Sequence, residues 1–583
     1  MRFLNRIVLF SKTLILVALL SAISISAQET EKETQVAKNH PPATKVANEE
    51  PKTNSPNPEK DKNATRPAVK SAVVRPVTER IGVIPGQTKS LSLNDAIRFA
   101  LQNNNDIEVA RDDVRIAESA LRSQLGFYEP TITISPNYSN NVQPQPSIFS
   151  GADESGVVSR TTFSANTSFQ QFIKQGGGNY NVFFNNNRTK SSSIASTLNP
   201  NFSSSLGASF TQPLFRNRSI DQNRRFIKIQ RKIIAQSDAD FRRRTIEIVA
   251  QVQRAYWDLV FALRDQQNRV ANLNLTKENL RQVEARIAAG AAAPLQKAEV
   301  NTELANRESD VLVASQQVSI TENTLKQLLL KDPNAPEWTQ SFTPTDSPVF
   351  STDPIVLGDA VKDAVANRPE LSRLNLQSEI NSIDLNYFKN QTKPQVDFTS
   401  TFSLDGLAGT EQILNGNSTV APVFIGGFGQ NLRNVFSGRY RTFSAGVTIS
   451  FPIRNKTAKA NLATAEFQKS RIAAQKRAQE QVIISEVRNA VQAVETARQR
   501  VLTARRAREN AEIQLAGERK LYDVGRSTTF LLFQRENTLT NARNSEIRAE
   551  TDYNKALADL QKATSTTFRV NNIVISSPMK DNR

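Results

Sequence analysis

Cysteine is absent from the 583 residues, and the single histidine is His40. Disulfides, thiol nucleophiles, Fe–S clusters and His- or Cys-based zinc sites are therefore excluded. Ser–His–Asp chemistry is excluded as well, because His40 stands in a Pro- and Lys-rich tract. A carboxylate or Ser–Lys enzyme is left formally open. Glycine is scarce, at 21 residues, which suits long helices. Hydrophobic residues reach 38%, below the roughly 45–50% of ordinary globular chains. Only one long apolar run occurs, near the N-terminus. A polytopic helical membrane protein, which needs several runs of about 20 apolar residues, is thus excluded.

Charge is present in excess of one sign. Lys and Arg number 74 against 56 Asp and Glu, a formal balance of +18. Such a balance attracts nucleic acid, anionic lipid or anionic solutes. The N-terminus chooses among them. Arg2, Arg6 and Lys12 precede the apolar run TLILVALLSAISI, and small residues end it at Ser24, Ser26 and Ala27. This pattern predicts a secretory signal peptide over residues 1–27, with an uncleaved anchor as the alternative. A secreted chain without a reader motif is not expected to bind nucleic acid. Residues 28–88 are rich in Pro, Lys, Glu, Thr and Asn and lack aromatics. They bury too little apolar area to offset their ordering entropy, and so predict a disordered linker.

The remainder is a duplication. SLNDAIRFALQNNNDIEVARDD, from Ser92, aligns without a gap on VLGDAVKDAVANRPELSRLNLQ, from Val356. Asp95 matches Asp359, Ile107 matches Leu371 and Pro130 matches Pro394, each pair 264 residues apart. Pro213 further pairs with Pro452, and Gly290 with Gly525. The units are residues 89–331 and 356–565, joined by 332–355 and followed by a tail, 566–583.

Each unit reads helix, strands, long helix, tight turn, helix. The first helices are expected over 91–126 and 357–392, the long ones over 218–289 and 454–524, the last over 295–330 and 530–565. At 1.5 Å per residue the short helices reach about 54 Å and the long ones about 108 Å. Two short helices end to end thus match one long helix, as in a tall cylinder. Phe241, Ile248, Val252, Ala255, Leu259 and Ala262, continued by Val270, Leu273, Leu280 and Ile287, follow heptad spacing. Such a seam demands lateral packing on other helices.

The strands alternate. Val396, Phe398, Phe402 and Leu404 interleave with Asp397, Thr399, Thr401 and Ser403. Phe443, Ala445, Val447, Ile449 and Phe451 interleave with Ser444, Gly446, Thr448 and Ser450. In the first copy Ile132 and Ile134 go out, and Leu206, Ala208 and Phe210 return. Segments of about nine residues suit a tilted transmembrane strand, apolar toward lipid and polar toward a lumen; a soluble β-sandwich face alternates similarly. Phe127, Tyr128, Phe215, Tyr387, Phe388 and Phe451 at the strand bases suit an interfacial girdle. Pro130, Pro213, Pro394 and Pro452 mark helix–strand junctions, where proline breaks the helix and withholds a ladder N–H. Residues 141–160, 187–205 and 405–440 are expected to be exposed loops. Around Gly176, Gly177 and Gly178, residues 161–188 form a hairpin-like stretch that either caps the sheet or adds two strands.

The order of elements, the duplication, the junction prolines, FTQPLF (210–215) and LYDVGRSTT (521–529) resemble the TolC-like outer membrane efflux proteins. The resemblance covers about residues 90–565. It implies a mixed α and β membrane protein: a coiled-coil α-helical barrel continuous with a transmembrane β-barrel shared by three chains. With four strands per chain that barrel would have 12. It implies a homotrimeric, passive exit duct of a tripartite efflux or type I secretion system, in outer-membrane lipid with its helical tunnel in the periplasm. A periplasmic adaptor and an energised inner-membrane pump would be its partners, and it would be no enzyme and carry no cofactor or metal. The absence of a GxxxxGK phosphate loop agrees with energy supplied by a partner. By resemblance, Gly290, Val524, Gly525 and Arg526 are the adaptor-docking tip turns; glycine also simply ends helices at tight turns.

One departure is visible. Family members often carry two aspartates six and nine residues after the second tip glycine, ringing the tunnel entrance. Here those positions are Leu531 and Gln534, and in the first copy Gln296 and Glu299. The run Arg242–Arg244 either lines an anion-tolerant lumen or forms pairs at i, i+4. Two other readings stand beside the duct: a non-pore structural coiled coil of the envelope, and a carboxylate-dependent secreted enzyme, for which no acid pair is apparent. The duct reading places its constriction near 285–300 and 520–536.

Overall fold

The computed structural model describes residues 80–146, 151–152, 156–413 and 420–576. The expected signal peptide and nearly all of the expected 28–88 linker lie outside them, as do residues 577–583. The first copy contains β1 (Thr88–Leu91), α1 (Leu93–Asn103), α2 (Asn105–Leu125), β2 (Thr131–Pro144), β3 (Val157–Phe172), β4 (Asn179–Ser191), β5 (Leu198–Pro213), α3 (Gln222–Ala288) and α4 (Pro294–Leu329). Between the copies lies β6 (Ser341–Pro344). The second copy contains α5 (Leu357–Asn367), α6 (Pro369–Gln391), β7 (Gln395–Glu411), α7 (Phe428–Phe436), β8 (Arg441–Ser450), α8 (Lys456–Asp523) and α9 (Thr529–Ala563), with a short α10 (Thr567–Val570) after it.

Over the opening helices and the strand that follows them, the two copies keep one offset. Leu93 and Leu357, Asn105 and Pro369, and Thr131 and Gln395 open corresponding elements 264 residues apart. Asp95 and Asp359 lie in first helical turns, and Ile107 and Leu371 are both buried.

Each first helix, expected as one, is two. In the first copy the break is Asn104, which leaves the helix at ψ 125° and caps the next through its side chain, accepting from Asp106 N and Ile107 N. In the second copy the break is Arg368, at ψ 122°. Pro369 follows it and disfavours α geometry in the residue before it.

The long helices hold 67 and 68 residues, or about 100 Å each. Asp221 starts α3 by accepting from Arg224 N at 2.8 Å. From Phe241 to Ala262 the heptad stripe is buried against α1, α2 and α4. Toward the turn the buried line rotates onto Asn272, Thr276, Asn279 and Val283, leaving Val270, Leu273, Leu280 and Ile287 half-buried. A straight helix of 3.6 residues per turn drifts off a strict seven-residue repeat in this way. The run Arg242–Arg244 is paired: Arg242 with Asp238, Arg243 with Glu247 and Arg244 with Asp106.

The strands form one antiparallel sheet in the order β2-β3-β4-β5-β7-β8. It has six strands rather than four, because residues 161–188 build most of the β3–β4 hairpin inside it. The Ser- and Asn-rich stretches expected as loops largely continue these strands, and α7 lies within 405–440. Polar residues on one face of a strand had the composition of a loop.

A separate pair, β1 and β6, runs parallel, Thr88 opposite Ser341 and Leu91 opposite Pro344. Beside it Arg80, Glu322 and Lys326 form a buried charge cluster; Lys326 Nζ lies 2.9 Å from Glu322 and donates to the Trp338 and Gln340 carbonyls. Burial lowers the Lys326 pKa, and Glu322 opposes that shift.

Candidate functional site

Two surfaces qualify: the faces of the sheet and the tips of the long helices. Register decides the first. Ile132, Phe169, Val182, Ala208, Phe402 and Phe443 stand in one row across all six strands. A neighbouring row on the opposite face reads Thr131, Gln170, Asn181, Ser209, Thr401 and Ser444. Successive residues of a strand point to opposite faces, so the first face is apolar and the second hydroxylic and amidic. Phe163, Phe402 and Phe443 are exposed, while Ser164 and Ser403 are buried. No described helix is long and apolar enough to cross a membrane; a sheet with these faces needs none.

The sheet has two edges, β2 and β8, exposed along their whole lengths. Their free N–H and C=O rows are templates for further pairing.

At the helical end, Pro130 and Pro394 directly precede β2 and β7, and Pro452 follows β8. Pro213 is itself the last residue of β5, opposite Asp397. The β3–β4 turn packs on the β5–α3 junction: Gln212 Nε2 donates to Gly176 O, and Gly177, at φ +71°, approaches Asn217 and Arg224. A side chain at Gly177 would meet Asn217 O at 2.8 Å. Of the expected girdle, Phe127, Phe215 and Phe451 are exposed, and Phe127 stacks on Phe172 with centroids 4.4 Å apart. Tyr128 is buried instead, under Lys174. Arg225 covers both Tyr387 and Phe388.

The tips are built identically. Gly290 and Gly525 take φ +67° and +75°. Around each, paired backbone bonds close the helix: Ala291 N to Arg286 O and Gly290 N to Ile287 O, then Arg526 N to Leu521 O and Gly525 N to Tyr522 O. This is the left-handed glycine stop of a helix. The two tips meet. The Arg286 guanidinium lies 4.8 Å from the Tyr522 ring. Val283 of α3, Val300 of α4 and Phe533 of α9 form one small buried cluster with Leu280 and Ile287. Outward, Leu295, Val524 and Phe530 are each about 70% exposed, an apolar surface on helix ends.

The expected entrance residues are on the surface here. Gln296 is half-buried, and Glu299, Leu531 and Gln534 are exposed. One chain brings no two of these acids or amides into a ring. The acid that the tip does hold is Glu536, two residues beyond Gln534. It is 4% exposed, near Asn279 Nδ2 at 3.4 Å and the Arg519 guanidinium at 3.7 Å. Burial pushes its carboxyl above the usual range, against Asn279, Arg519 and Arg307. Its sequence signal was its place on the buried line Thr529, Leu532, Phe533, Leu539. Among the described residues no group of acids or histidine is arranged to hold a metal ion.

Residues 360–566 match the model of the family described as outer membrane efflux protein. The second copy thus matches the outer membrane efflux protein family. The fold is shared with solved membrane proteins and outer membrane channels. A membrane protein from Pseudomonas aeruginosa superposes with TM-score 0.56 at 17% identity, covering 86% of this chain and 96% of its own. The Campylobacter jejuni CmeC outer membrane channel gives 0.57 at 15%, covering 82% and 89%. The open state of the Neisseria gonorrhoeae MtrE outer membrane channel gives 0.54 at 16%, covering 81% and 88%. No curated protein matches the chain. The efflux-protein match spans the second copy, and the structural likeness extends the fold over the first.

Proposed function

We propose that this protein is a passive exit duct, three copies of which share one β-barrel in the outer membrane and one helical tunnel in the periplasm. The single observation that carries it is the two-faced sheet with both edges open. Because neighbouring strands are antiparallel and their number is even, β8 of one copy runs antiparallel to β2 of the next, so the edges can close. Three six-stranded sheets make a barrel of 18 strands rather than 12. The apolar rows meet lipid and the hydroxylic rows line the lumen.

The tips around Gly290, Val524, Gly525 and Arg526 dock a periplasmic adaptor through the exposed Leu295, Val524 and Phe530. An energised inner-membrane pump drives transport, in drug or metal efflux or in type I secretion. Gln296, Glu299, Leu531 and Gln534 line the tunnel entrance, and the Val283–Val300–Phe533 cluster holds it narrow. If Glu299 and Arg526 are charge-reversed together and conductance is unchanged, they are no part of that gate.

The deciding measurement is the mass of the particle extracted by detergent from the outer-membrane fraction. Three mature chains, resistant to mild denaturation, are expected. A monomer or dimer, or protein only in the soluble periplasm, overturns the duct and leaves a structural coiled coil.

A further inference from the structure

The helix α7 stands where the second copy lacks the hairpin of the first, and it lies on the wrong side for a pore plug. A side chain built at Gly406 would strike Asn431 O and Val435 Cγ2, both at 2.5 Å. Gly406 shares its face with Leu404, Phe402 and Phe398, the apolar face. Asn431 Nδ2 donates to Ser204 Oγ at 2.6 Å, and Ser204 is on that same face, opposite Gly406. Helix α7 therefore covers the outward surface of the sheet, beyond the nine-residue stretch Val396–Leu404 and far from the helical end.

Its orientation is unusual for a helix packed on protein. The asparagines go in: Asn431 is 0% and Asn434 3% exposed, Asn434 Nδ2 donating to the Leu407 and Val423 carbonyls. The phenylalanines do not: Phe428 is 43% and Phe436 56% exposed. Phe428, Leu432 and Phe436 follow at steps of four, one stripe of a helix. Water would reject such an arrangement, since roughly 25 cal/mol per Å² favours covering the apolar stripe. Around it lies a belt of exposed cations on the same outward face or on α7 and its exit: Arg188, Lys190, Arg433, Arg439 and Arg441. None of the five makes an ion pair among the described residues. Arg188 lies against the Phe202 ring, which in turn meets Phe428.

We infer that α7 is an interfacial helix of the outer leaflet: it beds Phe428, Leu432 and Phe436 among acyl chains, and the arginine belt takes lipid phosphate groups. The inference rests on the duct reading, which makes the outward face of the sheet the lipid face. The apolar surface of β7 and β8 runs directly into the α7 stripe, and β8 is 10 residues, a membrane strand's length. A helix with an apolar stripe and basic flanks lies at the headgroup boundary.

The absence of cysteine makes the test clean. Full-length F436C, L432C, V447C and S444C are each given a nitroxide and reconstituted into phosphatidylcholine nanodiscs. Accessibility to oxygen and to a water-soluble nickel chelate is then read. The labels at 436 and 432 are expected to follow 447, with an oxygen-to-nickel ratio at least about threefold above that of lumen-facing 444. Labels at 436 and 432 that follow nickel, or are shielded from both reagents as under a neighbouring chain, overturn the inference. If the 447 label itself follows nickel, the duct reading fails first. Adding phosphatidylglycerol should slow the 432 label, an effect lost in R433Q/R439Q and not reproduced by inorganic phosphate. An undiminished effect in that variant, or the same effect from phosphate alone, refutes the role of the arginines.

Discussion

Substituting Phe533→Ala tests whether the tip is held by its own small core. Phe533 is 8% exposed and packs with Val283 and Val300, which are 2% and 0% exposed. These side chains come from three helices, and among the described residues no larger buried cluster reaches this end. Removing a buried Phe ring costs about 3–5 kcal/mol, and the low end applies to a cluster near a surface. At 1.4 kcal/mol per tenfold, about 3 kcal/mol is roughly a hundredfold in the equilibrium for local opening. Hydrogen exchange of the amides in the first turns of α4 and α9 should therefore quicken by about that factor. Exchange near Phe241–Leu263, in the main core, should not change. If the protein is the proposed duct, with its constriction near residues 285–300 and 520–536, single-channel conductance in planar bilayers should rise as well. Unchanged tip exchange in a correctly assembled variant would refute the assignment of local stability to this cluster.

Other outcomes follow from single groups. Glu536 has a raised carboxyl pKa through burial, so native protein binds its proton more tightly than unfolded chain. Its contribution is thus present below the ordinary value and declines as pH rises through the raised one. Glu536→Gln should slow tip hydrogen exchange at neutral pH and flatten its dependence above pH 4.5. Arg307, Arg519 and Glu303 face the same carboxyl and remain in that variant. Gly525 takes φ +75° with nothing near its missing Cβ, so Gly525→Ala should cost about 1 kcal/mol through backbone strain alone, and Gly525→Asn less. Exchange of the α8 C-terminal amides measures both. Glu322→Gln would leave Arg80 and Lys326 buried without their carboxylate, and should lower stability by about 3–5 kcal/mol in thermal unfolding. On the sheet, a Cβ at Gly207 would lie 2.5 Å from Phe183 Cζ and 2.7 Å from Phe402 O. Gly207→Ala should therefore cost about 1–3 kcal/mol and reduce the yield of folded sheet.

What could be read from the sequence was whatever repeats or alternates. The glycine stops at Gly290 and Gly525 were legible because only a left-handed residue ends both long helices. The alternation of Phe443, Val447 and Ile449 with Ser444, Thr448 and Ser450 gave the sheet its two faces. The β3 and β4 strands were obscured because Asn181, Asn185 and Asn187 belong to a polar face and resemble a loop in composition. Helix α7 escaped because Asn431 and Asn434 are buried beside Val435 while Phe428 and Phe436 stay exposed, so the usual amphipathic cue misleads. The helix break at Arg368 was signalled by Pro369, whereas Asn104 needed its side-chain cap to be seen. Glu536 was overlooked because family spacing drew attention to Leu531 and Gln534.

The β3–β4 hairpin turns back at Gly176–Gly178 without entering the helices. Each chain therefore passes between sheet and helices four times, at the starts of β2 and β7 and the ends of β5 and β8, whether or not the hairpin is there. In the proposed duct, bore in the membrane and bore in the periplasm would then be independent dimensions. Adding or deleting a hairpin would alter the number of staves in such a barrel and leave four crossings per chain between sheet and helices. On that reading a lineage, or an engineer, could widen the outlet without redesigning the helix tips proposed to receive a partner.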